Sequence, residues 1–120
     1  MLSLQAGLEP GETLEFEYAV QCVAAELVDS LEVSVMWYTE GKGGEDIGVH
    51  LFQRIGREDL TELSLDQPRR LRCDLPIAPL SFEGRLLKIR WCVRLRLFLR
   101  DGRELSADKP FYLGHLTTDM

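Results

Sequence analysis

The chain has 120 residues, of which 28% are charged, and a formal net charge of −6 at pH 7. This length suits a single domain, residues 1–120, built around one hydrophobic core. No apolar run approaches the ~18 residues of a transmembrane helix, and the N-terminal stretch lacks the basic and apolar regions of an export signal. We therefore expect no membrane span and no secretion.

Charge is distributed unevenly along the sequence. Residues 1–66 contain 14 acidic and 3 basic residues, whereas residues 67–120 contain 11 basic and 6 acidic residues. Because the two halves have opposite signs, we expect strands of one half to form ion pairs with strands of the other.

The three cysteines, Cys22, Cys73 and Cys92, show no CxxC or Cys/His spacing. An odd number of cysteines without such spacing favours reduced structural thiols over a disulfide framework or a zinc site. We therefore predict a cytoplasmic protein that holds no metal and no other cofactor.

Several segments alternate between apolar and polar residues, which predicts strands. Thr13–Val23 and Leu31–Tyr38 show the pattern clearly, and Gly48–Ile55 and Arg70–Leu75 are shorter. The inward positions of the two clear strands are Leu14, Phe16, Tyr18, Val20 and Cys22, then Leu31, Val33, Val35 and Trp37. Arg57–Leu65 is compatible with a loop or a helical turn, and no segment indicates a helix of three turns.

The longest predicted strand is Leu87–Leu99. Its odd positions are all apolar and its even positions are mostly cationic, which is typical of a strand with one face in a core and the other in water. We expect burial of Leu87, Ile89, Trp91, Val93, Leu95 and Leu97. Such a strand would be about 40 Å long, against a usual length of roughly 17–20 Å. A bend or a bulge is therefore expected, and Cys92, which interrupts the cationic positions, is one place for it.

The phase of the side chains decides the turn that follows this strand. A two-residue loop at Asp101-Gly102 would place the core residue Leu97 opposite the polar Ser106. A three-residue loop, with Gly102 in the left-handed conformation of a G1 bulge, keeps apolar residues on one face. This register pairs Leu97 with Leu105, Trp91 with Phe111, and Arg94 with Asp108.

About seven strands with little helix predict an all-β fold, an antiparallel two-sheet sandwich of the immunoglobulin-like kind. One stretch has a more specific pattern, in which Leu-Pro is followed by Pro-x-Ser-aromatic-x-Gly and a long strand containing an aromatic residue. The residues of this pattern are Leu75, Pro76, Pro79, Ser81, Phe82, Gly84 and Trp91. Together with the Pro10-Gly11 turn before an early strand, the pattern resembles that of the arrestin-like domain family.

The resemblance implies an arrestin-type sandwich and a non-enzymatic adaptor or scaffold that binds proteins through sheet edges and loops. The seven residues of the pattern would then have structural roles. Arrestins, the arrestin-shaped retromer subunit and bacterial sporulation-control relatives generally join two such sandwiches, whereas this chain has the length of one. The resemblance does not identify a partner.

Four cations of the long strand, Lys88, Arg90, Arg94 and Arg96, would suit a stripe that binds nucleic acid. Acidic residues in matching phase on other strands favour a ladder of ion pairs instead. The expected acidic partners are Glu15, Glu17, Glu32 and Asp108. We therefore predict no specific nucleic-acid binding.

Metal binding and catalysis find little support in the sequence. Glu40, Glu45 and Asp46 lack the spacing of an EF-hand loop and fit a solvated hairpin tip. His50 and His115 are the two histidines, and no nucleophile motif accompanies them, so we predict no catalytic residues. An enzyme would need a pocket that gathers a histidine with a carboxylate or a cysteine.

A ligand-binding sandwich, for example one that binds carbohydrate, is an alternative function. It would require exposed aromatic side chains on one face or loop rim. Tyr38 and Tyr112 are the candidates for exposure, whereas Trp37 and Trp91 are in phase with the core.

A sheet edge is the surface through which we expect a protein partner, including a second copy of the chain, to bind. Pro110 cannot donate a backbone hydrogen bond, so the last strand should lie at an edge or be interrupted there, and should not accept a partner. The segment Gly48–Ile55 has no proline, and it has apolar residues on both faces at Val49, Leu51 and Phe52. We predict that this segment is the partner edge.

Overall fold

Strands dominate the structure, a computed structural model that describes residues 2–4, 6–20, 25–42, 45–60 and 67–115. In chain order the strands are β1 (Leu2–Leu4), β2 (Gly7–Leu8), β3 (Thr13–Tyr18), β4 (Val28–Gly41), β5 (Ile47–Ile55), β6 (Arg69–Asp74), β7 (Phe82–Glu83), β8 (Leu87–Leu99) and β9 (Glu104–Leu113). A 3₁₀ turn, Ala25–Leu27, precedes β4, and one helical turn, α1 (Arg57–Leu60), follows β5. Across the described ranges, no helix has the length and apolar character needed to cross a bilayer.

The strands form two sheets. The smaller sheet has the order β1-β3-β6, and the larger sheet has the order β2-β9-β8-β4-β5, with β7 also paired to β8. The short pair of β2 and β9 is parallel, whereas the other pairs are antiparallel. The prediction of an all-β, two-sheet sandwich is confirmed.

The hydrophobic core contains side chains from both sheets. Alternate residues of β3, β4 and β8 point into it, because successive side chains of a strand point to opposite faces. The buried residues of these three strands that belong to the core are Leu14, Phe16, Tyr18, Val28, Leu31, Val33, Val35, Trp91, Val93, Leu95, Leu97 and Leu99. The predicted inward face of β3 is thus confirmed, and Val20 just beyond it is also buried. Cys22 lies outside the described residues.

The first residues of β8 depart from the prediction of burial. Leu87 is exposed and Ile89 is only half-buried. The strands of the smaller sheet have at most six residues, about 20 Å, whereas β8 has 13 residues and extends about 43 Å. The smaller sheet is therefore too short to cover the whole inward face of β8.

The expected irregularity at Cys92 is also absent from the described ladders. The registers of β8 with β4 and with β9 run through Cys92 without a shift. The register shifts lie elsewhere: Asp29 of β4 is the extra residue between Val28 and Ser30 in the ladder with β8, and His50 of β5 is the extra residue opposite Val35 and Met36. The ladders therefore contain no bulge at Cys92, the residue named as one place for a bend or a bulge.

Several element boundaries differ from the sequence interpretation. β3 ends at Tyr18, β4 extends beyond both ends of Leu31–Tyr38, and β5 begins one residue earlier than predicted. The ambiguous segment after β5 starts as the helical turn α1, and residues 61–65 of that segment lie outside the described part of the chain.

The turn between β8 and β9 confirms the predicted bulge. Gly102 has a φ angle of +90°, and its N–H group donates to the carbonyl oxygen of Leu99 at 3.0 Å. The ladder pairs Leu97 with Leu105, Trp91 with Phe111, and Arg94 with Asp108. The register therefore follows from the requirement that apolar residues share one face.

Candidate functional site

The segment that resembles arrestin-like domains connects the two sheets. Leu75 is buried just after β6, and its N–H group donates to the carbonyl oxygen of Glu12 at 2.8 Å. The carbonyl oxygen of Pro79 accepts a hydrogen bond from Trp91 Nε1–H at 2.8 Å. This bond satisfies the polar group of a buried indole, which would otherwise be costly to desolvate.

Ser81 and Gly84 continue this segment toward β8. Ser81 N–H donates to the carbonyl oxygen of Leu113 at 2.7 Å, and Ser81 Oγ accepts from Leu113 N–H at 2.9 Å. A Cβ atom at Gly84 would lie 2.4 Å from Phe82 Cε1 and 2.7 Å from the carbonyl oxygen of Leu87, so the position needs glycine. Pro76 is half-buried and Phe82 is exposed. The contacts of this segment are those of a structural connection.

The cationic side chains of β8 lie beside acidic side chains on the outer face of the larger sheet, the face that points away from the core. Arg94 donates to Asp108 at 2.8 and 3.0 Å, and Arg96 Nη2 lies 2.6 Å from Glu104 Oε1. The remaining pairs are Arg96 with Glu32, Arg90 with Glu40 and Glu83, and Lys88 with Glu83, at 3.1 to 3.8 Å. The ion-pair ladder is therefore present.

The prediction that Glu15 and Glu17 belong to this ion-pair ladder is wrong. Glu15 and Glu17 lie on β3 in the smaller sheet and pair with Arg72 and Arg70 of β6, at 3.0 and 3.9 Å. The alternation of polar and apolar residues shows which side chains of a strand face water. It does not show which sheet the strand joins, so it could not place Glu15 and Glu17 beside the correct cations.

We expect no specific binding of nucleic acid, although seven basic residues lie between Arg85 and Arg103. Cations that already have acidic neighbours gain less from neutralising phosphates, and binding of this type depends on counterion release. A gel shift at physiological ionic strength should show no complex with DNA or RNA. A salt-dependent complex that is lost when Arg90 and Arg94 are both replaced by glutamate would contradict the prediction.

An apolar row crosses the outer face of the larger sheet, between the charged residues. It consists of Val49 on β5, Met36 on β4, Cys92 on β8 and Pro110 on β9, which are neighbours in the registers of the sheet. Met36 and Cys92 are buried although they point away from the core. The sequence interpretation missed this row, because its four members come from four strands and only the interruption at Cys92 was visible in one of them.

Neither described thiol has the character of a nucleophile. Burial, followed by the negative charge of Asp108, raises the pKa of Cys92 to about 11, although Arg94 opposes the shift. Burial and Asp74 raise the pKa of Cys73 as well. Because the thiolate is the reactive form, both residues stay protonated and unreactive near neutral pH.

His50 lies at the irregularity where β5 passes Val35 and Met36 of β4. Its Nε2 atom lies 2.6 Å from the carbonyl oxygen of Asp74, and its ring stands edge-on to Trp91 at 6.3 Å between centroids. The contact with Asp74 joins β5 to the end of β6, and the contact with Trp91 joins it to β8. In the described ranges, no three His, Cys, Asp or Glu residues form a group that could hold a metal ion.

The exposed aromatic side chains do not form one platform. Phe52 and Tyr112 lie on the first and fourth of four adjacent strands of the larger sheet, and Phe82 lies on the short β7. Tyr38, which we expected to be exposed, is half-buried, as is Trp37. Gly48 makes room for the Trp37 indole, since a Cβ atom there would lie 2.0 Å from Trp37 Nε1. The wide spacing of the exposed residues Phe52, Phe82 and Tyr112 does not favour a carbohydrate site.

β5 forms one edge of the larger sheet and, among the described residues, pairs with β4 alone. Ile47, Val49 and Phe52 are 62%, 56% and 53% exposed on its outer face. Leu51 is half-buried and packs against the core. The irregularity at His50 shifts the phase of the strand, which explains why Val49 and Phe52 share a face although their numbers differ by three.

β9, near the other edge of the larger sheet, is protected. Its residues Glu104–Phe111 pair with β8, and β2 covers positions Tyr112 and Leu113. Pro110 lacks an N–H group, and Lys109 lies opposite the core residue Val93, so that a charged residue occupies an inward position. Both features discourage the addition of another strand.

The fold has a counterpart among solved structures. The structure of Spo0M, a sporulation control protein from Bacillus subtilis, matches 96% of this chain and 48% of that chain, with a TM-score of 0.57 and 10% sequence identity. The chain thus spans about half the length of Spo0M. No protein-family model and no curated protein matches the chain. At this identity the likeness shows the fold, and the fold is that of an arrestin-like β-sandwich.

Proposed function

We propose that the chain is a non-enzymatic adaptor or scaffold of arrestin-like shape that binds a partner protein at the β5 edge. The observation that carries this proposal is the exposure of three large apolar side chains on an edge strand of nine residues without proline. Such a strand, about 30 Å long, offers backbone N–H and C=O groups to an incoming strand. The side chains on its outer face would then provide specificity.

The non-enzymatic part of the proposal is supported by the state of the groups that could act in catalysis. The thiols of Cys73 and Cys92 have raised pKa values, and His50 contacts a backbone carbonyl oxygen. A depression lined by Met36, Tyr38, Ile47 and Arg94 on the outer face holds about 240 Å³. This volume is below the roughly 300–1,000 Å³ of small-molecule sites. A second depression, on the smaller sheet beside Ser3, Phe16 and Arg70, holds about 340 Å³ and lies at the lower end of that range.

Two further parts of the proposal concern the setting in which the chain acts. Cys73 and Cys92 are free thiols, which supports a reducing compartment such as the cytoplasm. Side chains from both sheets share one core cluster, which supports one domain over residues 1–120.

Replacing Phe52 by aspartate should remove partner binding. The chain, immobilised and exposed to a native lysate of its source, should retain specific proteins that the Phe52→Asp variant loses about tenfold or more, because a charge would replace an apolar contact at the edge. The thermal midpoint should hardly change, since substitutions of exposed residues usually alter stability by less than about 0.5 kcal/mol. Quantitative mass spectrometry of the bound fraction provides the measurement.

Tyr112→Asp is the matched control, because Tyr112 is an exposed aromatic residue on β9 of the same sheet. It should leave the bound proteins unchanged. Equal losses from both variants, or retention by Phe52→Asp, would contradict docking at β5.

A further inference from the structure

β5 and the residues beside it are self-complementary in charge. Glu45 and Asp46, both exposed, precede the strand, and Arg54, also exposed, lies at its other end. The apolar residues Ile47, Val49 and Phe52 lie between these charges. In an antiparallel pair of identical strands, the acidic end of each copy meets the basic end of the other, so that two attractions form at once.

We infer that the occupant of the β5 edge is a second copy of this chain, which pairs β5 with β5 in antiparallel orientation around a two-fold axis. This inference rests on the proposed role of β5 as the docking edge and names the partner that it binds. The two larger sheets would then form one continuous sheet across the interface.

The phase of the side chains selects a register. Ile47, Val49, Phe52 and Arg54 all lie opposite outer-face residues of β4, because of the irregularity at His50. A register that pairs Val49 with Phe52 of the second copy also pairs Ile47 with Arg54 and Gly48 with Gln53. Outer-face residues then meet outer-face residues along both arms of the strand, and the irregular positions lie on the two-fold axis.

This register also brings the charges together. Arg54 of one copy lies diagonally across from Glu45 of the other, a separation that a long side chain can span. Within its own chain, Arg54 is 3.9 Å from Glu32, and the Arg54 side chain is 56% exposed. A pair at that distance with an exposed arginine is weak, so Arg54 is available to an acidic group on a second copy.

The overall net charge of −6 opposes association of two copies. Screening limits this repulsion, because the Debye length is about 8 Å at physiological ionic strength. Ion pairs formed at the interface act over distances shorter than this screening length. The local complementarity therefore acts against a repulsion that is largely screened between the distant acidic parts of the two molecules.

Two charge variants test this inference. Arg54→Glu makes both ends of β5 acidic, and Glu45→Lys combined with Asp46→Lys makes both ends basic. The side chains of Glu45 and Asp46 are suitable for exchange, because the hydrogen bonds that join Asp46 to Thr39 use the backbone atoms of Asp46. Circular dichroism and the thermal midpoint verify that both variants are folded.

Sedimentation velocity at about 100 μM would detect a dimer with a dissociation constant in the micromolar range. The parent chain should dimerise, and each variant alone should dimerise about tenfold more weakly or worse, because like charges would meet at both ends. An equimolar mixture of the two variants should recover the dimer, since only the mixed pair has opposite charges at both ends.

A parent chain that stays monomeric, a variant that dimerises as well as the parent, or a mixture that stays monomeric would each overturn the inference. None of these results depends on the capture of proteins from a lysate. Loss of captured proteins in Phe52→Asp together with a monomeric parent would instead assign the edge to a different protein, and would leave the proposed function in place.

Discussion

Replacing Trp91 by alanine is expected to lower the free energy of unfolding by about 3–5 kcal/mol. The Trp91 side chain is 1% exposed, packs against Phe111 at 5.8 Å between ring centroids, and donates its Nε1–H group to Pro79. Its removal would leave a cavity and an unsatisfied carbonyl oxygen, because close-packed neighbours relax only partly. Urea denaturation followed by circular dichroism measures the change.

Arg94→Ala on the same strand is the control for this measurement. Arg94 points to the outer face, where its side chain is 31% exposed and pairs with Asp108. Exposed ion pairs contribute little, so this variant should lose less than about 1 kcal/mol. Similar losses from the two variants would mean that the inward and outward faces of β8 had been exchanged.

Replacing Gly41 by alanine is expected to cost about 2–5 kcal/mol, the sum of a backbone cost and an overpacking cost. Gly41 has a φ angle of +143°, and a Cβ atom would lie 2.1 Å from the carbonyl oxygen of Leu86 and 3.1 Å from the Cα atom of Leu87. Backbone atoms cannot move away from an added Cβ atom as the end of a flexible side chain can. The end of β4 would therefore have to separate from β8.

Gly11→Ala isolates the cost of the backbone conformation. Gly11 has a φ angle of +82°, and nothing lies within 4 Å of the position that a Cβ atom would take there. This variant should lose about 1–2 kcal/mol. If thermal or urea unfolding showed no greater loss for Gly41→Ala than for Gly11→Ala, the close approach of Gly41 to Leu86 would not contribute to stability.

The sequence correctly predicted those parts of the fold that depend only on which face of a strand each side chain occupies. The β8–β9 turn is the clearest case, because only the bulged loop places Leu97 beside Leu105 and Trp91 beside Phe111. Phase does not determine how far an opposing sheet extends, and Leu87 is exposed for this reason. It also does not assign strands to sheets, which is why Glu15 was expected beside the wrong cations.

The predicted partner edge shows a second limit of sequence-based prediction, which concerns the face on which each side chain lies. The prediction chose the segment around Val49, Leu51 and Phe52 because it lacks proline and is rich in apolar residues, and the structure places this segment at an edge of the larger sheet. The division of these residues between the two faces depends on the irregularity opposite Val35 and Met36, for which the sequence has no clear signal. The apolar row through Met36 and Cys92 was missed for a similar reason, because it exists only when the strands are side by side.

The two sides of the larger sheet differ in their capacity for strand addition. β5 is available for pairing, whereas Lys109 and Pro110 protect β9. A molecule with two available edges would add copies indefinitely and grow into a fibre, as in cross-β assemblies. With β5 as the docking edge proposed above, strand addition to the larger sheet would end after a single event, and the stoichiometry would be one partner for each copy.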